Sequence, residues 1–334
     1  QTFLDDCQYY TEKIAEASAD LCIMFGNVAF EKDKLNEDGR LRKYNAAVAC
    51  QNGKILGGYM GRNFILKNSL PNYREFDDYR YFYSLQKLCA EEDAVVAEAL
   101  QPLEVTIKGT TVKVGLMICE DGWTENYHLN VPQTLANNGA DILFNLSCSP
   151  YSLGKNKKRN KLFGAQAKEA GVPLVYCNNV GIQNNGKNVF TYDGCSSAYN
   201  ADGTLITSAE MYADTLLECT WDTETGFFVG ENSGIAFVFE LCNLFFNDLA
   251  FGFECGNHFC LLAYHLLVYV KGKLIAVHDC VQVYISNSYA FSVISCEISF
   301  HIRGILGLAG PLGLPFTAAL GEKHKAHDGH GYGK

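Results

Sequence analysis

Apolar residues recur at every second position of residues 112–118, which is the pattern of a β-strand with a buried face. They are Val112, Val114, Leu116 and Ile118. The predicted strand leads directly into Cys119, which Glu120 and Asp121 follow. A strand end is a place where a rigid sheet can present a nucleophile to a cleft. The sequence therefore offers Cys119 as a candidate nucleophile, with a buried cysteine that serves only packing as the alternative.

Before this strand, apolar residues at helical spacing predict an N-terminal helix that begins near Phe3. The other members of its apolar stripe are Cys7, Tyr10, Ile14 and Ala17. The next predicted elements are a strand at 21–25, a hairpin of strands 45–50 and 54–60, and a hairpin of strands 103–107 and 111–118. The first hairpin turns at Asn52-Gly53, a strong hairpin signal.

Beyond Cys119, helical and strand patterns alternate along the chain. The predicted elements are a helix at 132–138, a strand at 142–147, a helix at 157–170, a strand at 174–177, and a hairpin of strands 188–200 and 204–207. Gly139 and Gly171 follow the two helices and are expected to end them. This order predicts an α/β layered fold with mixed strands.

Composition limits the functional classes. The 334 residues are 48% hydrophobic and contain no apolar run of transmembrane length, so one large or two smaller domains are expected. No signal-peptide pattern follows Gln1, and the 14 scattered cysteines are expected to be mostly reduced thiols of a cytoplasmic protein. The formal net charge of −10 argues against a nucleic-acid or anionic-membrane partner.

Residues 67–73 form a second candidate for chemistry. Pro71 excludes a continuous helix, so the segment is predicted to be an ordered loop. Beside a thiol, Lys67 would stabilise a thiolate and the oxyanion formed when that thiolate attacks a carbonyl; a solvated loop lysine is the alternative. No convergent set of Cys, His and carboxylate side chains surrounds Lys67 or Cys119 in the sequence, so no metal site is expected there.

Four motifs stand in one order along the chain: KNSLPNY at 67–73, ICEDGW at 118–123, NLSCSPY followed by GK at 145–155, and NNVGIQNNGKNVFTYDGCSSAYNADG at 178–203. In this order they resemble the carbon–nitrogen hydrolase (nitrilase) superfamily, and within it the glutaminase domain of glutamine-dependent NAD synthetases. The resemblance covers about residues 1–220. It implies a four-layer αββα sandwich for residues 1–225, with the first strand missing, followed by an unassigned segment at 226–334.

The resemblance also implies roles for individual residues. Cys119 is similar to the nucleophile that attacks the side-chain amide of L-glutamine and forms a thioester, and Lys67 matches the lysine that supports the oxyanion. Four further residues match positions that hold glutamine or line the same site: Tyr73, Glu120, Ser149 and Lys155. Taken singly, Tyr73 is better explained as a core aromatic, Ser149 as a turn residue, and Lys155 as part of a solvated run of charge; the matching spacing of the motifs favours the site role for Tyr73.

Further expectations concern cofactors and partners. The thioester step needs no metal or organic cofactor. In the family, ATP and the NAD precursor bind a synthetase domain, and no Ser-Gly-Gly-x-Asp-Ser pyrophosphatase loop is present in this sequence. The resemblance therefore implies a parent protein with that domain and a homo-oligomeric assembly.

One family feature has no counterpart in the sequence. The glutamate that accepts the thiol proton belongs upstream of the helix that begins near Phe3, whereas Glu12, Glu16 and Glu31 lie in other elements. We therefore expect an N-terminally truncated chain that lacks the first strand and the base. Loss of a positioned base costs about 10²- to 10⁴-fold in rate, so we expect impaired activity.

The region from about residue 226 is hydrophobic, poor in charge and without clean periodicity. We expect it to be no evolved domain, and to derive from a misjudged reading frame or an unspliced intron, with membrane association as the alternative. Its apolar piece at 259–270 is too short to span a bilayer. The tail at 321–334 contains three histidines and is expected to be a disordered polar segment and not a metal site. The three histidines are His324, His327 and His330.

Two functional classes follow from the sequence. In the first, the chain is an amidohydrolase that releases ammonia from glutamine for an amide-forming domain, which requires Cys119 to be a reactive thiol. In the second, it is a non-catalytic remnant or binding module that keeps the layered fold. A different nitrilase-type amidase ranks below the glutaminase, because its loops would lack the set Tyr73, Ser149 and Lys155.

Overall fold

The structure is a computed structural model that describes residues 2–18, 22–107, 109–184, 188–229, 235–240, 265–270 and 273–278. Two β-sheets face each other and carry helices on their outer sides, which gives the αββα order of layers predicted from the sequence. The predicted fold class is therefore confirmed.

The helices and strands of residues 2–99 are α1 (Thr2–Ala17), β1 (Cys22–Leu35), β2 (Leu41–Gln51), β3 (Lys54–Ile55), β4 (Ile65–Leu66), α2 (Asp78–Tyr81), α3 (Leu85–Glu91) and α4 (Val96–Ala99). The following elements are β5 (Leu103–Ile107), β6 (Thr110–Ile118), α5 (Val131–Asn137), β7 (Ile142–Ser147), α6 (Lys155–Ala170), β8 (Leu174–Asn178), β9 (Val180–Asn184), β10 (Val189–Asp193), β11 (Ser197–Tyr199) and β12 (Leu205–Ser208). The last five described strands are β13 (Leu216–Asp222), β14 (Phe227–Val229), β15 (Ile235–Glu240), β16 (His265–Val270) and β17 (Lys273–His278).

The first sheet has nine strands in the order β14-β13-β15-β17-β16-β1-β2-β3, and β4 also pairs with β2. The second has six strands in the order β12-β11-β8-β7-β6-β5. Its central strands β6, β7 and β8 run parallel, whereas the outer strands are antiparallel to their neighbours. The parallel strands therefore end at one edge of the sheet, where the loops after them meet. The hairpin β9–β10 forms a separate two-stranded sheet beyond β8.

The core lies between the two sheets and beneath the outer helices. Helix α1 covers the first sheet through Leu4, Cys7, Ile14 and Ala15, while α5 and α6 cover the second sheet. Residues on both facing sheets belong to one hydrophobic cluster. The Tyr59 hydroxyl also links the sheets by donating a hydrogen bond to the Leu116 carbonyl oxygen at 3.1 Å. This packing holds the end of β6 rigidly, because β6 is paired on both sides, with β5 and with β7.

Most predicted elements are confirmed, with altered ends, but the strand predicted at 54–60 is only two residues long, Lys54–Ile55. Helix α1 begins at Thr2, close to the predicted start, but its buried side contains Leu4 and Ala15, whereas Ala17 is exposed. The hairpin turn at Asn52 and Gly53 is confirmed by their positive φ angles of 53° and 75°. The predicted strand at 21–25 is longer in the structure, where β1 extends to Leu35.

The prediction of one strand at 188–200 is wrong. The segment forms two strands in different sheets, β10 paired with β9, and β11 paired with β8 and β12. The chain turns between them because Gly194 and Cys195 have φ angles of 66° and 55°, which no regular strand accommodates. The hairpin β11–β12 itself is confirmed.

Four described strands, β14 to β17, lie beyond residue 226 and join the nine-stranded sheet. In it, β16 pairs with β1 at Phe25 and Met24. The domain boundary near residue 225 stays a prediction. Residues 259–264, which are the first half of the apolar piece at 259–270, and the whole histidine-containing tail at 321–334 lie outside the described residues. Among the helices of the described ranges, none is both long and apolar enough to cross a membrane.

Candidate active site

Cys119 lies at a sharp turn at the end of β6. The strand ends at Ile118, and a 3₁₀ turn begins at Cys119 and ends at Gly122. The φ angle of Cys119 is +45°, a left-handed conformation that is uncommon for a residue with a side chain. Such backbone strain concentrates at functional sites, because only a well-supported structure maintains it. The turn presents Cys119 at the edge where the parallel strands end.

The turn is supported from the neighbouring strand and helix. Asn145 on β7 donates a hydrogen bond from Nδ2 to the Cys119 carbonyl oxygen at 3.2 Å, and Gln166 on α6 donates one to the Gly122 carbonyl oxygen. A Cβ atom at Gly122 would lie 2.1 Å from Asn145 Nδ2 and 2.7 Å from a ring carbon of Phe163. Glycine is therefore required at position 122 so that the turn can approach β7 and α6 closely.

Lys67 follows β4, and its side chain is buried beside this turn, with the residue 3% exposed. Its ammonium group donates a hydrogen bond to Asp78 Oδ2 at 2.7 Å, and Asp78 is the first residue of α2. Burial favours the neutral amine, but the negative charges of Asp78 and of the Cys119 thiolate outweigh burial and raise the pKa of Lys67. Lys67 is therefore a permanent positive charge next to the sulfur.

Asp121 joins the lysine loop to the cysteine turn. Its Oδ1 accepts hydrogen bonds from the backbone N–H groups of Ser69 at 2.7 Å and Asn68 at 3.1 Å. Its Oδ2 accepts the N–H of Ile118 at 3.2 Å. Burial raises the pKa of Asp121 to about 6, although these hydrogen bonds and Lys67 oppose the shift. One carboxyl group thus holds the segments on which Lys67 and Cys119 lie.

Burial and the neighbouring charges have opposing effects on the pKa of the Cys119 thiol. Burial has the largest effect and raises the pKa of the thiol above its ordinary value. Lys67 and, more weakly, Lys155 lower it, whereas Glu120 and Asp78 raise it. Because burial prevails, the resting form is the thiol, and attack on a carbonyl carbon requires transfer of its proton. Among the described residues, no side chain accepts a hydrogen bond from this sulfur.

Glu120 is fixed by two tyrosines. Tyr73 donates from its hydroxyl to Oε1 at 2.9 Å and to Oε2 at 3.1 Å, and Tyr127 donates to Oε1 at 2.9 Å. Glu120 is buried, whereas Tyr73 is 47% exposed and Tyr127 is half-buried. A carboxylate oriented in this way beside Cys119 offers a site for a positively charged group of a ligand.

Ser149 lies on the loop between β7 and α6, and Lys155 is the first residue of α6. Ser149 is buried, and its backbone N–H donates to Asn178 Oδ1 at 2.8 Å. Lys155 donates from Nζ to the Pro150 carbonyl oxygen at 2.9 Å, and its Nζ lies 5.7 Å from the centre of the Trp123 ring. Burial lowers the pKa of Lys155, with the Cys119 thiolate as the largest opposing influence. Lys155 therefore faces the same space as the cysteine.

The structure brings most of the predicted site residues together. Lys67, Cys119, Glu120, Tyr73 and Lys155 are joined by the electrostatic influences and hydrogen bonds described above. No group of three or more potential metal ligands occurs in the described part of the chain. The prediction that this site needs no cofactor is not tested by these contacts.

The three glutamates Glu12, Glu16 and Glu31 do not reach the candidate site. Glu12 and Glu16 are exposed on α1. Glu31 accepts a hydrogen bond from the Tyr44 hydroxyl and pairs with Arg62 at 3.3 Å. Within the described ranges, the carboxylate partner of Lys67 is Asp78.

Sequence patterns missed Asp78, Asp121 and Tyr127. Asp121 is adjacent to the cysteine motif, and its carboxyl group two positions after a strand-end cysteine was an available signal. Asp78 lies 11 positions after Lys67, and Tyr127 lies 7 positions after Glu120, in segments without a distinctive pattern.

The family of this chain follows from comparison with known proteins. The model of the carbon-nitrogen hydrolase family matches residues 8–225, and the chain belongs to this family. It is 29% identical over 234 residues to a glutamine-dependent NAD(+) synthetase of Synechocystis sp., a match that covers 68% of this chain and 37% of the relative. It is 33% identical over 174 residues to the protein of that name from Xanthomonas campestris pv. campestris, covering 52% of this chain and 26% of the relative.

A solved structure agrees with these matches. The glutamine-dependent NAD+ synthetase of Acinetobacter baumannii, in complex with ADP, aligns with a TM-score of 0.52 and 26% identity. The alignment covers 70% of this chain and 38% of that chain. The present chain thus spans well under half the length of these NAD(+) synthetases.

Proposed function

We propose that this chain is the glutamine-hydrolysing part of an NAD synthetase, and that it releases ammonia through a thioester on Cys119. The observation that carries the proposal is the buried positive charge of Lys67 beside a cysteine held in a left-handed turn at a strand end. A nucleophile and a fixed cation in this arrangement suit attack on an amide carbonyl, since negative charge develops on the carbonyl oxygen.

The reaction proceeds in two halves. The Cys119 sulfur, after loss of its proton, attacks the side-chain amide carbon of glutamine, and Lys67 stabilises the resulting oxyanion. The carbon–nitrogen bond then breaks, ammonia leaves with an added proton, and a γ-glutamyl thioester remains. Water attacks the thioester carbon, the carbon–sulfur bond breaks, and glutamate and the free thiol are formed.

We propose that four residues hold the substrate: Tyr73, Glu120, Ser149 and Lys155. Glutamine carries an ammonium and a carboxylate group at its other end, so it needs one partner of each charge. Glu120, fixed by Tyr73 and Tyr127, suits the ammonium group, and Lys155 suits the carboxylate. An amidase for uncharged amides would not need this pair, which favours glutamine.

The names of the related NAD(+) synthetases support a parent protein that makes NAD(+). In such a parent, ATP and the NAD precursor would bind a synthetase domain that receives the ammonia, and the assembly would be a homo-oligomer. The hydrolytic step would need no metal or organic cofactor, since sulfur and an ammonium group supply the chemistry. A cytoplasmic location belongs to the same proposal.

We propose further that this chain hydrolyses glutamine slowly. The pKa of the Cys119 thiol is raised, and in the described part of the chain no glutamate is hydrogen-bonded to Lys67 or to the sulfur. Asp78 contacts Lys67, so it neutralises the lysine charge that would otherwise favour the thiolate. A missing general base lowers a rate by about 10²- to 10⁴-fold.

The test is ammonia release from L-glutamine by this chain, with asparagine and acetamide as competing substrates and Cys119→Ala as the blank. We expect slow release that is fastest with glutamine and absent in the variant. Equal release by Cys119→Ala would overturn the thioester proposal, and preference for acetamide would point to another amidase. No release, together with a Cys119 that resists alkylation, would favour a non-catalytic module.

A further inference from the structure

A buried ion pair lies behind the candidate site and takes no direct part in the proposed chemistry. Arg159 on α6 and Asp193 at the end of β10 are both 0% exposed. Arg159 donates from Nη1 to Asp193 Oδ2 and from Nη2 to Asp193 Oδ1, each at 2.9 Å. The two parallel hydrogen bonds fix the plane of the guanidinium group relative to the carboxylate.

This pair is connected to Ser149 through its backbone. Asn178, at the end of β8, accepts the Ser149 N–H through Oδ1 at 2.8 Å and donates from Nδ2 to the Ser149 carbonyl oxygen at 3.3 Å. Arg159 Nη2 donates to the same carbonyl oxygen at 3.5 Å. Asn178 also donates to the Gly194 carbonyl oxygen at 2.9 Å. Both backbone polar groups of Ser149 are thus held by side chains from two other elements.

The next residues of the loop are fixed from the same side. The Tyr151 N–H donates to the Thr191 carbonyl oxygen of β10 at 2.6 Å, two positions before Asp193. The loop that carries Ser149 and leads into Lys155 is therefore attached to β10 at one point and to the ion pair at another. Within the described residues, Arg159 is hydrogen-bonded to the Ser149 carbonyl oxygen, and neither Arg159 nor Asp193 is hydrogen-bonded to Cys119, so a change in the pair acts most directly on Ser149.

Stability alone is a weak reason for this pair. Removing two charges from water costs about as much as their attraction returns, so apolar residues of similar volume often serve a core equally well. The Nε atom of Arg159 is also buried without a hydrogen-bond partner among the described residues, which adds to the cost. The planar guanidinium group of Arg159 fixes the orientation of its hydrogen-bond partners, and apolar residues would not reproduce this effect.

We propose that Arg159, Asp193 and Asn178 are positioning residues that hold the Ser149 loop in the geometry that binds glutamine. The inference rests on the proposed function, because it assigns these residues to the substrate side of that same site. It predicts that loss of the pair weakens glutamine binding and leaves the reactivity of the Cys119 sulfur unchanged.

The experiment compares two reagents that alkylate Cys119. The first reagent is a chloroketone analogue of glutamine, which loses chloride when the Cys119 thiolate attacks it. The concentration that gives the half-maximal labelling rate reports how tightly the analogue binds, and the maximal rate reports the reaction. Iodoacetamide reports only the accessibility and reactivity of the sulfur. The variants are Arg159→Lys, the double variant Arg159→Met with Asp193→Leu, and Lys161→Met as the matched control, since Lys161 is exposed on the same helix.

We expect the double variant to melt close to the parent chain and to need about 10- to 100-fold more chloroketone for half-maximal labelling, as loss of charge-assisted hydrogen bonds implies. Its iodoacetamide rate at Cys119 should change by less than about twofold, and Lys161→Met should change neither value. An unchanged chloroketone concentration in the folded double variant would overturn the inference.

Arg159→Lys decides the question if the double variant does not fold. Lysine keeps the positive charge opposite Asp193 but cannot form both hydrogen bonds, so we expect weaker chloroketone binding with an unchanged iodoacetamide rate. An Arg159→Lys variant whose half-maximal chloroketone concentration equals that of the unsubstituted chain would overturn the inference. If the parent chain itself shows no saturation with the chloroketone, the proposed function fails first, and the inference fails with it.

Discussion

The ammonium group of Lys67 lies 2.7 Å from the carboxylate of Asp78, and the lysine side chain is almost completely buried. The lysine is thus held by one carboxylate on α2 and faces the Cys119 sulfur. Its charge is shared between stabilising the fold, through Asp78, and stabilising negative charge at the sulfur. The effects of this pairing on stability and on thiol reactivity can be measured by substituting Asp78 and Lys67 separately.

Asp78→Asn removes the charge that partners Lys67. We expect a loss of unfolding free energy that approaches about 3–5 kcal/mol, the cost of leaving a buried charge unpaired, and is reduced because Asp78 is 21% exposed. Urea denaturation of the variant measures this loss. Asp77→Asn is the matched control, since Asp77 pairs with the exposed Arg80 at 3.6 Å and should cost at most about 1 kcal/mol. Equal losses in both variants would contradict the account.

Lys67→Met removes the largest influence that lowers the pKa of the Cys119 thiol. In the parent chain, the rate of iodoacetamide alkylation at Cys119 should still be rising at the ordinary pKa of a thiol, because burial raises the pKa of Cys119. Lys67→Met should slow alkylation at pH 8 by about 10-fold or more. The exposed Lys54 offers a control, Lys54→Met, that should leave the rate unchanged. An unaltered rate in Lys67→Met would show that the lysine charge does not reach the sulfur.

Asp121 should make stability depend on pH in an unusual direction. Its folded pKa of about 6 lies above the unfolded value, so the folded state binds the proton more tightly. The contribution of this group to unfolding free energy therefore falls as pH rises from about 4 to 6, by about 3 kcal/mol in total. Relative to the Asp121→Asn variant, the unsubstituted chain should gain stability as the pH is lowered through this range.

Denaturation with urea between pH 4 and 7 measures the difference between the parent and Asp121→Asn. Asp141→Asn is the control, because Asp141 also accepts a backbone N–H, from Lys113 at 2.7 Å, but is exposed. A constant difference between the parent and Asp121→Asn across this range would contradict the raised pKa.

Gly122→Ala should disturb the turn that presents Cys119. The added Cβ would lie 2.1 Å from Asn145 Nδ2, so the turn must move away from β7, at a cost of about 1–3 kcal/mol. Thermal unfolding measures the cost, and labelling by the glutamine chloroketone should slow in the same variant. Gly57→Ala is the control, because its Cβ would meet no atom within 4 Å. A Gly122→Ala variant as stable as Gly57→Ala would refute the close approach.

The sequence predicted those parts of the site that lie on regular elements or within continuous motifs. Strand β6 was predictable because Val112, Val114 and Leu116 alternate with other residues, and Cys119 follows directly. Lys67 was a candidate from its place in an ordered loop, and a resemblance that spans short segments then named Lys67, Tyr73 and Glu120 together. Periodicity and short motifs capture relationships between near neighbours in the chain.

Contacts between distant segments were not predictable in the same way. The bond from the Ser69 N–H to Asp121 joins residues 52 positions apart, and the Arg159–Asp193 pair joins residues 34 positions apart. The single strand predicted at 188–200 failed because Cys195, an ordinary residue for a strand, adopts a left-handed conformation that only its tertiary surroundings require.

The central claim is that Cys119 carries the acyl group of glutamine, and the most direct test is the mass of the peptide that contains Cys119. The chain is mixed with glutamine, quenched in acid at a series of early times, digested and analysed by mass spectrometry. We predict a γ-glutamyl adduct on Cys119 that appears before glutamate accumulates and is absent from Cys119→Ser. Ammonia release with an unmodified Cys119 at every quench time, and at the same rate in Cys119→Ser, would contradict the account.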